Sequence, residues 1–127
     1  MLVDDNADLR ETLALLLRCD GHLVIEAADG QLALDALESA TTFHLIILDL
    51  MMPVMDGATF LARKAKGAHA AIPVLIFSSS ESIGMEEFGN VVSVVSKMDG
   101  IDGLLAAIQS AGGAAPFPQA RAAGFRV

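Results

Sequence analysis

Short apolar runs alternate with helical patterns along this chain. Five runs are too short for helices and predict strands, at residues 1–3, 22–27, 45–48, 73–77 and 91–96. The run 45–48 is continuously apolar and does not alternate with polar residues, so we expect it to be buried on both faces, as in a parallel sheet covered by helices.

Apolar residues at helical spacing follow these runs. The predicted inward-facing residues are Leu9, Leu13, Leu16 and Leu17; Leu34 and Leu37; Phe60, Leu61 and Ala65; and Ile101, Leu104, Leu105 and Ile108. The predicted N-caps are Asn6, Asp56 and Asp99, and Asp29-Gly30 is predicted to open the second helix. The predicted stops are Gly21, Gly67 and Gly112-Gly113. Segment 80–88 is predicted to form only a weak helix, because Gly84 lowers helix stability by about 1 kcal/mol relative to Ala. Strands alternating with helices predict an α/β fold, with a parallel sheet between two helical layers.

The length and composition of the chain narrow its class. Its 127 residues suit one domain, which we expect over residues 1–112, followed by a mostly irregular tail or linker over 113–127. A net charge of -8 argues against direct nucleic-acid binding. The chain has neither an apolar run of spanning length nor a secretory signal, so we expect no membrane partner. The single cysteine, Cys19, excludes an internal disulfide and fits the cytoplasm.

Polar side chains lie where four predicted strands end. They are Asp4 and Asp5, Asp49, Ser78 and Lys97. Taken alone, Asp49 is explained equally well by an ordinary role as a turn residue. Ser78 alone is similarly explained as a strand-end turn residue, and Lys97 alone as a surface lysine. In a parallel sheet, however, these ends meet at one edge, where ligands bind. Two carboxylates about 4 Å apart repel by roughly 4 kcal/mol at an effective dielectric of about 20, so we expect a cation or a reaction to require the cluster.

The same residue types suit phosphoryl transfer. Mg²⁺ prefers oxygen ligands and typically takes one or two protein carboxylates together with a phosphate oxygen, which leaves one carboxylate free as a nucleophile. Lys97 and the metal would neutralise the charge of the transferring group, and Ser78 would hydrogen-bond one of its oxygens. The sequence therefore predicts phosphoryl transfer to Asp49.

These residues also carry a resemblance. The Asp4-Asp5 pair, the box Leu-Asp-Leu-Met-Met-Pro-Val-Met-Asp-Gly at 48–57, and the strand-end Ser78 and Lys97 make the chain similar to the receiver domain of bacterial two-component response regulators, over about residues 1–112. The overall pattern is that of a stand-alone receiver like the chemotaxis regulators. The resemblance implies a flavodoxin-like, doubly wound sheet of five parallel strands in the order 2-1-3-4-5.

The resemblance also implies roles for the residues. A sensor histidine kinase or phosphotransfer protein would donate a phosphoryl group to Asp49 while Mg²⁺ is bound. Asp5, Asp49 and the backbone carbonyl of Met51 would ligate the metal, with Asp4 assisting through water. Ser78 would move toward the phosphoryl group and Lys97 would pair with it.

The expected result is a signalling switch that assists its own Mg-dependent phosphorylation and dephosphorylation, and not an enzyme acting on external substrates. Region 80–111 would contact a downstream protein, and a homodimer is compatible with the resemblance.

The chain departs from the family pattern at several places. Met98 follows Lys97 where the family usually has Pro, so we expect the loop to lack the cis-peptide geometry that usually aims the lysine. Val94 replaces the usual Tyr or Phe, the interval from Ser78 to Lys97 is short, and the first strand begins late. These departures motivate an alternative, a phosphorylation-insensitive binding module with the receiver fold. A metal-dependent phosphatase is disfavoured, because no further acid-base residue accompanies Asp49.

Overall fold

The computed structural model describes residues 1–39, 42–79, 90–114 and 127. Strands and helices alternate in the predicted order up to the fourth strand. The elements are β1 (Leu2–Val3), α1 (Ala7–Cys19), β2 (Glu26–Ala27), α2 (Gly30–Leu37), β3 (Ile46–Leu48), α3 (Gly57–Ala65), β4 (Val74–Ser78), β5 (Val91–Ser96), a 3-10 turn (Lys97–Asp99) and α4 (Gly100–Ala114). The predicted weak helix at 80–88 lies outside the described residues.

The five strands form one parallel sheet in the order β2-β1-β3-β4-β5, which confirms the predicted topology. Side chains alternate between two apolar layers: on β4, Leu75 and Phe77 join one layer and Val74 and Ile76 the other. Helices α1 and α4 cover the first layer, and α2 and α3 cover the second. The sheet is therefore buried on both faces, and its ligand-binding capacity is confined to its edges.

Hydrogen bonds confirm two of the predicted N-caps, Asn6 and Asp56, whose side chains accept backbone N–H groups at the starts of α1 and α3. Asp29 opens α2 as predicted, and its side chain caps that helix in the same way. At Asp56, the backbone and side-chain hydrogen bonds from Thr59 hold the pKa of the carboxyl below its ordinary value. Asp99 directly precedes α4, in the position predicted for its cap.

Several predicted boundaries differ from the structure. The second strand covers only Glu26–Ala27, because β1 offers just two residues to pair with it. Gly21 ends α1 with a φ of 92°, whereas Gly112 and Gly113 remain helical and α4 continues to Ala114. Glycine stops a helix when it adopts the left-handed conformation, so its presence alone does not fix the end.

Two residues that were predicted to face inward, Leu16 and Ala65, are exposed in the structure. Leu16 is 38 % exposed, and Ala14 is buried on α1 beside Leu13 and Leu17. On α3, Ala65 is exposed and Lys64 is buried. The stripe on α4 is confirmed, since Leu104 and Ile108 are buried and its other two members pack against them.

Both ends of the described chain are buried. The Met1 ammonium donates to the Leu45 carbonyl over 2.7 Å, and burial lowers its pKa well below the ordinary value. At the other end, the Val127 N–H donates to the Leu23 carbonyl, and the Val127 carbonyl accepts from the Ile25 N–H. Val127 thus joins the layer under α1; the rest of the predicted tail lies outside the described residues.

In the described ranges, no helix combines the length and apolar character needed to cross a membrane.

Lys64 supplies a testable case of a buried cation. Its Nζ donates to the Ala70 carbonyl over 3.0 Å, and burial lowers the pKa of the ammonium. Asn90 Nδ2 donates to the same carbonyl, so that oxygen stays satisfied if Lys64 is replaced. Because an apolar side chain avoids the cost of burying a charge, we expect Lys64→Met to raise the free energy of unfolding by about 1 kcal/mol.

Urea denaturation at pH 7 measures this change, with the exposed Lys66→Met as the control that should leave stability unchanged. The stability that Lys64→Met gains over the wild type should shrink as pH rises through the lowered pKa of Lys64, because the lysine of the folded wild type then loses its charge. Destabilisation of Lys64→Met by a similar amount would show that the bond to Ala70 outweighs the burial cost.

Candidate functional site

Three carboxylates meet at the carboxyl edge of the sheet. Strands β1 and β3 are neighbours with Val3 opposite Leu48, so Asp4 and Asp49 leave the sheet side by side. The Asp49 N–H donates to the Val3 carbonyl over 2.9 Å, which extends the ladder to the site. One oxygen each of Asp4, Asp5 and Asp49 lies within 4.8 Å of the others. The predicted acidic cluster is therefore assembled as the topology requires.

The three acids differ in exposure. Asp4 and Asp49 are 2 % and 4 % exposed, whereas Asp5 is exposed to solvent. A buried carboxylate needs partners, and the Asn6 N–H donates to Asp4 Oδ1 over 2.9 Å. Asp5 is thus the carboxylate that a hydrated ion meets first.

Lys97 lies in the same pocket, as predicted. Its Nζ is 2.9 Å from Asp4 Oδ2 and 3.3 Å from Asp49 Oδ2. Partial burial lowers the pKa of the ammonium, but its hydrogen bonds and charge interactions with Asp4 and Asp49 outweigh this effect and raise the pKa above the ordinary lysine value. Lys97 is therefore protonated at neutral pH.

Lys97 takes this place without the family's proline. The described residues include no cis peptide bond, as expected from Met98. The 3-10 turn Lys97–Asp99, which the sequence did not predict, directs the lysine instead. The absence of that proline therefore does not remove the cation from the pocket.

Asp49 Oδ1 faces two donors. The buried Ser78 hydroxyl donates to it over 3.0 Å, and the Met51 N–H donates over 3.3 Å. Ser78 ends β4, the strand next to β3, so the topology brings it to Asp49 as predicted. The Met51 side chain is 63 % exposed, and the role of its carbonyl as a metal ligand stays a prediction.

The charge and donors of the cluster suit a divalent cation. Three carboxylates against one ammonium leave a formal charge of -2. Carboxylate oxygens grouped this closely are the kind of ligand that Mg²⁺ prefers. In the part of the chain that the structure describes, this is the only group of three acidic, histidine or cysteine side chains with such spacing.

Arg10 supports the site, and the sequence did not point to it. Its Nη1 donates to the Asp4 carbonyl over 2.8 Å, and its Nε bonds Glu26 Oε1 over 3.2 Å. Helix α1 and strand β2 thereby fix the backbone of Asp4. The periodicity of α1 gave no signal for this contact, because Arg10 flanks the apolar stripe and its partners are distant in sequence.

Comparisons with known proteins agree with the geometry. A family model described as "Response regulator receiver domain" matches residues 1–109. The "Gliding motility regulatory protein" of Myxococcus xanthus is 43% identical over 84 residues, which cover 65% of this chain and 11% of that protein. A "Protein-glutamate methylesterase/protein-glutamine glutaminase 5" of Anaeromyxobacter dehalogenans is 45% identical over 87 residues, 68% of this chain and 24% of that protein. The chain thus spans a quarter or less of these relatives.

Solved structures show the same fold. A response regulator receiver protein from Pseudomonas putida aligns with a TM-score of 0.79 and 26% identity, covering 86% of this chain and 93% of that one. The receiver domain of the hybrid histidine kinase CckA aligns with a TM-score of 0.69 and 34% identity, covering 86% and 94%. Both alignments extend over most of the described residues.

Proposed function

Because the chain belongs to the response regulator receiver domain family, which acts in phosphorelay signalling, we propose that Asp49 is its phosphoacceptor. The observation that carries the proposal is the convergence of Lys97 and Ser78 on this one carboxylate. A cation and a hydroxyl donor are the groups that stabilise a transferring phosphoryl group.

In the proposed step, an Asp49 carboxylate oxygen attacks phosphorus. A P–O bond to Asp49 forms, and the bond from phosphorus to the donor breaks, with its electron pair leaving on the donor. Lys97 exchanges its contact with Asp49 for one with the phosphoryl oxygens. The Ser78 hydroxyl already donates to Asp49, so it lies beside the carboxylate that would carry the new group.

Mg²⁺ would be held by Asp5 and Asp49 with the Met51 carbonyl, and by Asp4 through water. When bound, Mg²⁺ neutralises charge on the phosphoryl oxygens. Exposed Asp5 keeps its oxygens available to the ion.

Receiver domains interact with histidine kinases or phosphotransfer proteins, so a protein of this kind is the proposed phosphoryl donor. We place the surface for a downstream protein, or for a second copy of the chain, in region 80–111, of which residues 90–111 are described. The presence of Lys97 in the pocket gives the phosphorylation-insensitive alternative no support.

The test is the intact mass of the protein after incubation with acetyl phosphate. We expect one added phosphoryl group with Mg²⁺ and little or none with a chelator, and we expect fragment masses to locate it at Asp49. Asp4, Asp5 and Asp49 leave a net negative site that repels an anionic donor unless a cation is bound. Absence of any adduct in the presence of Mg²⁺ would contradict the proposal.

A further inference from the structure

Lys97 approaches the acidic cluster from a single 3-10 turn that directly follows β5. Ser96, before the turn, has extended backbone with φ of -73° and ψ of 139°. The Met98 N–H donates to Ser96 Oγ over 3.1 Å. This bond spans Lys97, so the hydroxyl fixes the peptide unit that follows the lysine.

Side-chain packing does little to hold this turn. Met98 is 92 % exposed and Asp99 is exposed as well. The turn sets the position and direction of the Lys97 Cα–Cβ bond, and from there Nζ reaches Asp4 Oδ2 over 2.9 Å and Asp49 Oδ2 over 3.3 Å. Two local hydrogen bonds hold the turn, from the Met98 N–H to Ser96 Oγ and from the Gly100 N–H to the Lys97 carbonyl, and only the first involves a side chain of the turn.

We propose that Ser96 is a positioning residue for Lys97: by accepting the Met98 N–H, its hydroxyl keeps Nζ against Asp4 and Asp49. The proposal deepens the proposed function and rests on it for its effect on phosphorylation. Ser96 acts through the lysine and touches neither carboxylate.

A matched pair of variants isolates the hydroxyl. Thr and Val have nearly the same shape, but only Thr can accept the Met98 N–H. With acetyl phosphate and Mg²⁺, we expect Ser96→Val to slow phosphorylation by about threefold, since a net hydrogen bond is lost, and Ser96→Thr to keep nearly the wild-type rate. Ser93→Val is the control: it makes the same substitution three residues earlier on β5, and we expect it to leave the phosphorylation rate unchanged.

A double-mutant cycle separates positioning from general weakening. In a Lys97→Gln background, Ser96→Val should cause no further loss of rate, because the lysine through which Ser96 acts is gone. An equal loss in both backgrounds, or wild-type rate in Ser96→Val, would overturn the proposal.

A second readout does not depend on phosphorylation. The ammonium protons of Lys97 should give an NMR signal in the wild type and in Ser96→Thr, because the ion pair with Asp4 slows their exchange with water. The signal should be weaker in Ser96→Val than in Ser96→Thr, and an unchanged signal in Ser96→Val would contradict the positioning role. If no variant accepts phosphate but the NMR pattern holds, the proposed function fails and the placement of Lys97 by Ser96 stands.

Discussion

Asp49→Asn is expected to lower the phosphoryl adduct by at least about 100-fold, because an amide lacks the carboxylate nucleophile. The substitution keeps the shape of the side chain and one oxygen that accepts from Ser78 and Met51. Lys97 keeps its shorter contact with Asp4. The pocket should therefore stay folded while its reaction is lost.

Asp56→Asn is the matched control for this experiment. Asp56 is an exposed cap at the start of α3, and Asn is an equally good N-cap. Its adduct should equal that of the wild type. Intact mass after acetyl phosphate treatment measures both variants, and far-UV circular dichroism verifies that both are folded. A wild-type adduct on Asp49→Asn would place the phosphoacceptor elsewhere.

Much of the site could be predicted because its parts follow strand ends. Asp4, Asp49, Ser78 and Lys97 each mark the point where an apolar run gives way to polar residues, and a parallel sheet brings such points together. The caps were equally predictable, since a capping side chain bonds a backbone N–H three residues away. Local rules were sufficient for these features.

The remaining features depend on contacts that local rules do not contain. Lys64 occupies a buried place on α3 because the Ala70 carbonyl receives its ammonium, and a periodicity count treats every lysine as exposed. Arg10 reaches Glu26 across 16 positions of sequence. The Ser96 hydroxyl bonds a residue only two positions away, but a serine at a strand end is common, and the sequence did not distinguish this one from Ser93.

Gly57→Ala is the second large effect that we expect, a loss of about 2 to 3 kcal/mol in the free energy of unfolding. A Cβ added at Gly57 would lie 2.7 Å from the Asp49 carbonyl oxygen and from Leu50 Cα. Both are backbone atoms, so the segment after β3 must shift to make room. The same shift would move the Asp49 side chain away from Lys97, and we expect slower phosphorylation in addition to lower stability.

Gly67→Ala is the control, because Gly67 follows α3 and the same chemical change there meets no atom at clashing distance. Its added Cβ would lie 3.6 Å from the Lys64 carbonyl oxygen, which is ordinary van der Waals contact. We expect its stability to stay within about 0.5 kcal/mol of the wild type. Urea denaturation compares the two variants, and acetyl phosphate gives their rates. Equal stability of Gly57→Ala and Gly67→Ala would mean that the loop carrying Asp49 yields to the added methyl, and that close packing against α3 does not hold Asp49 in place.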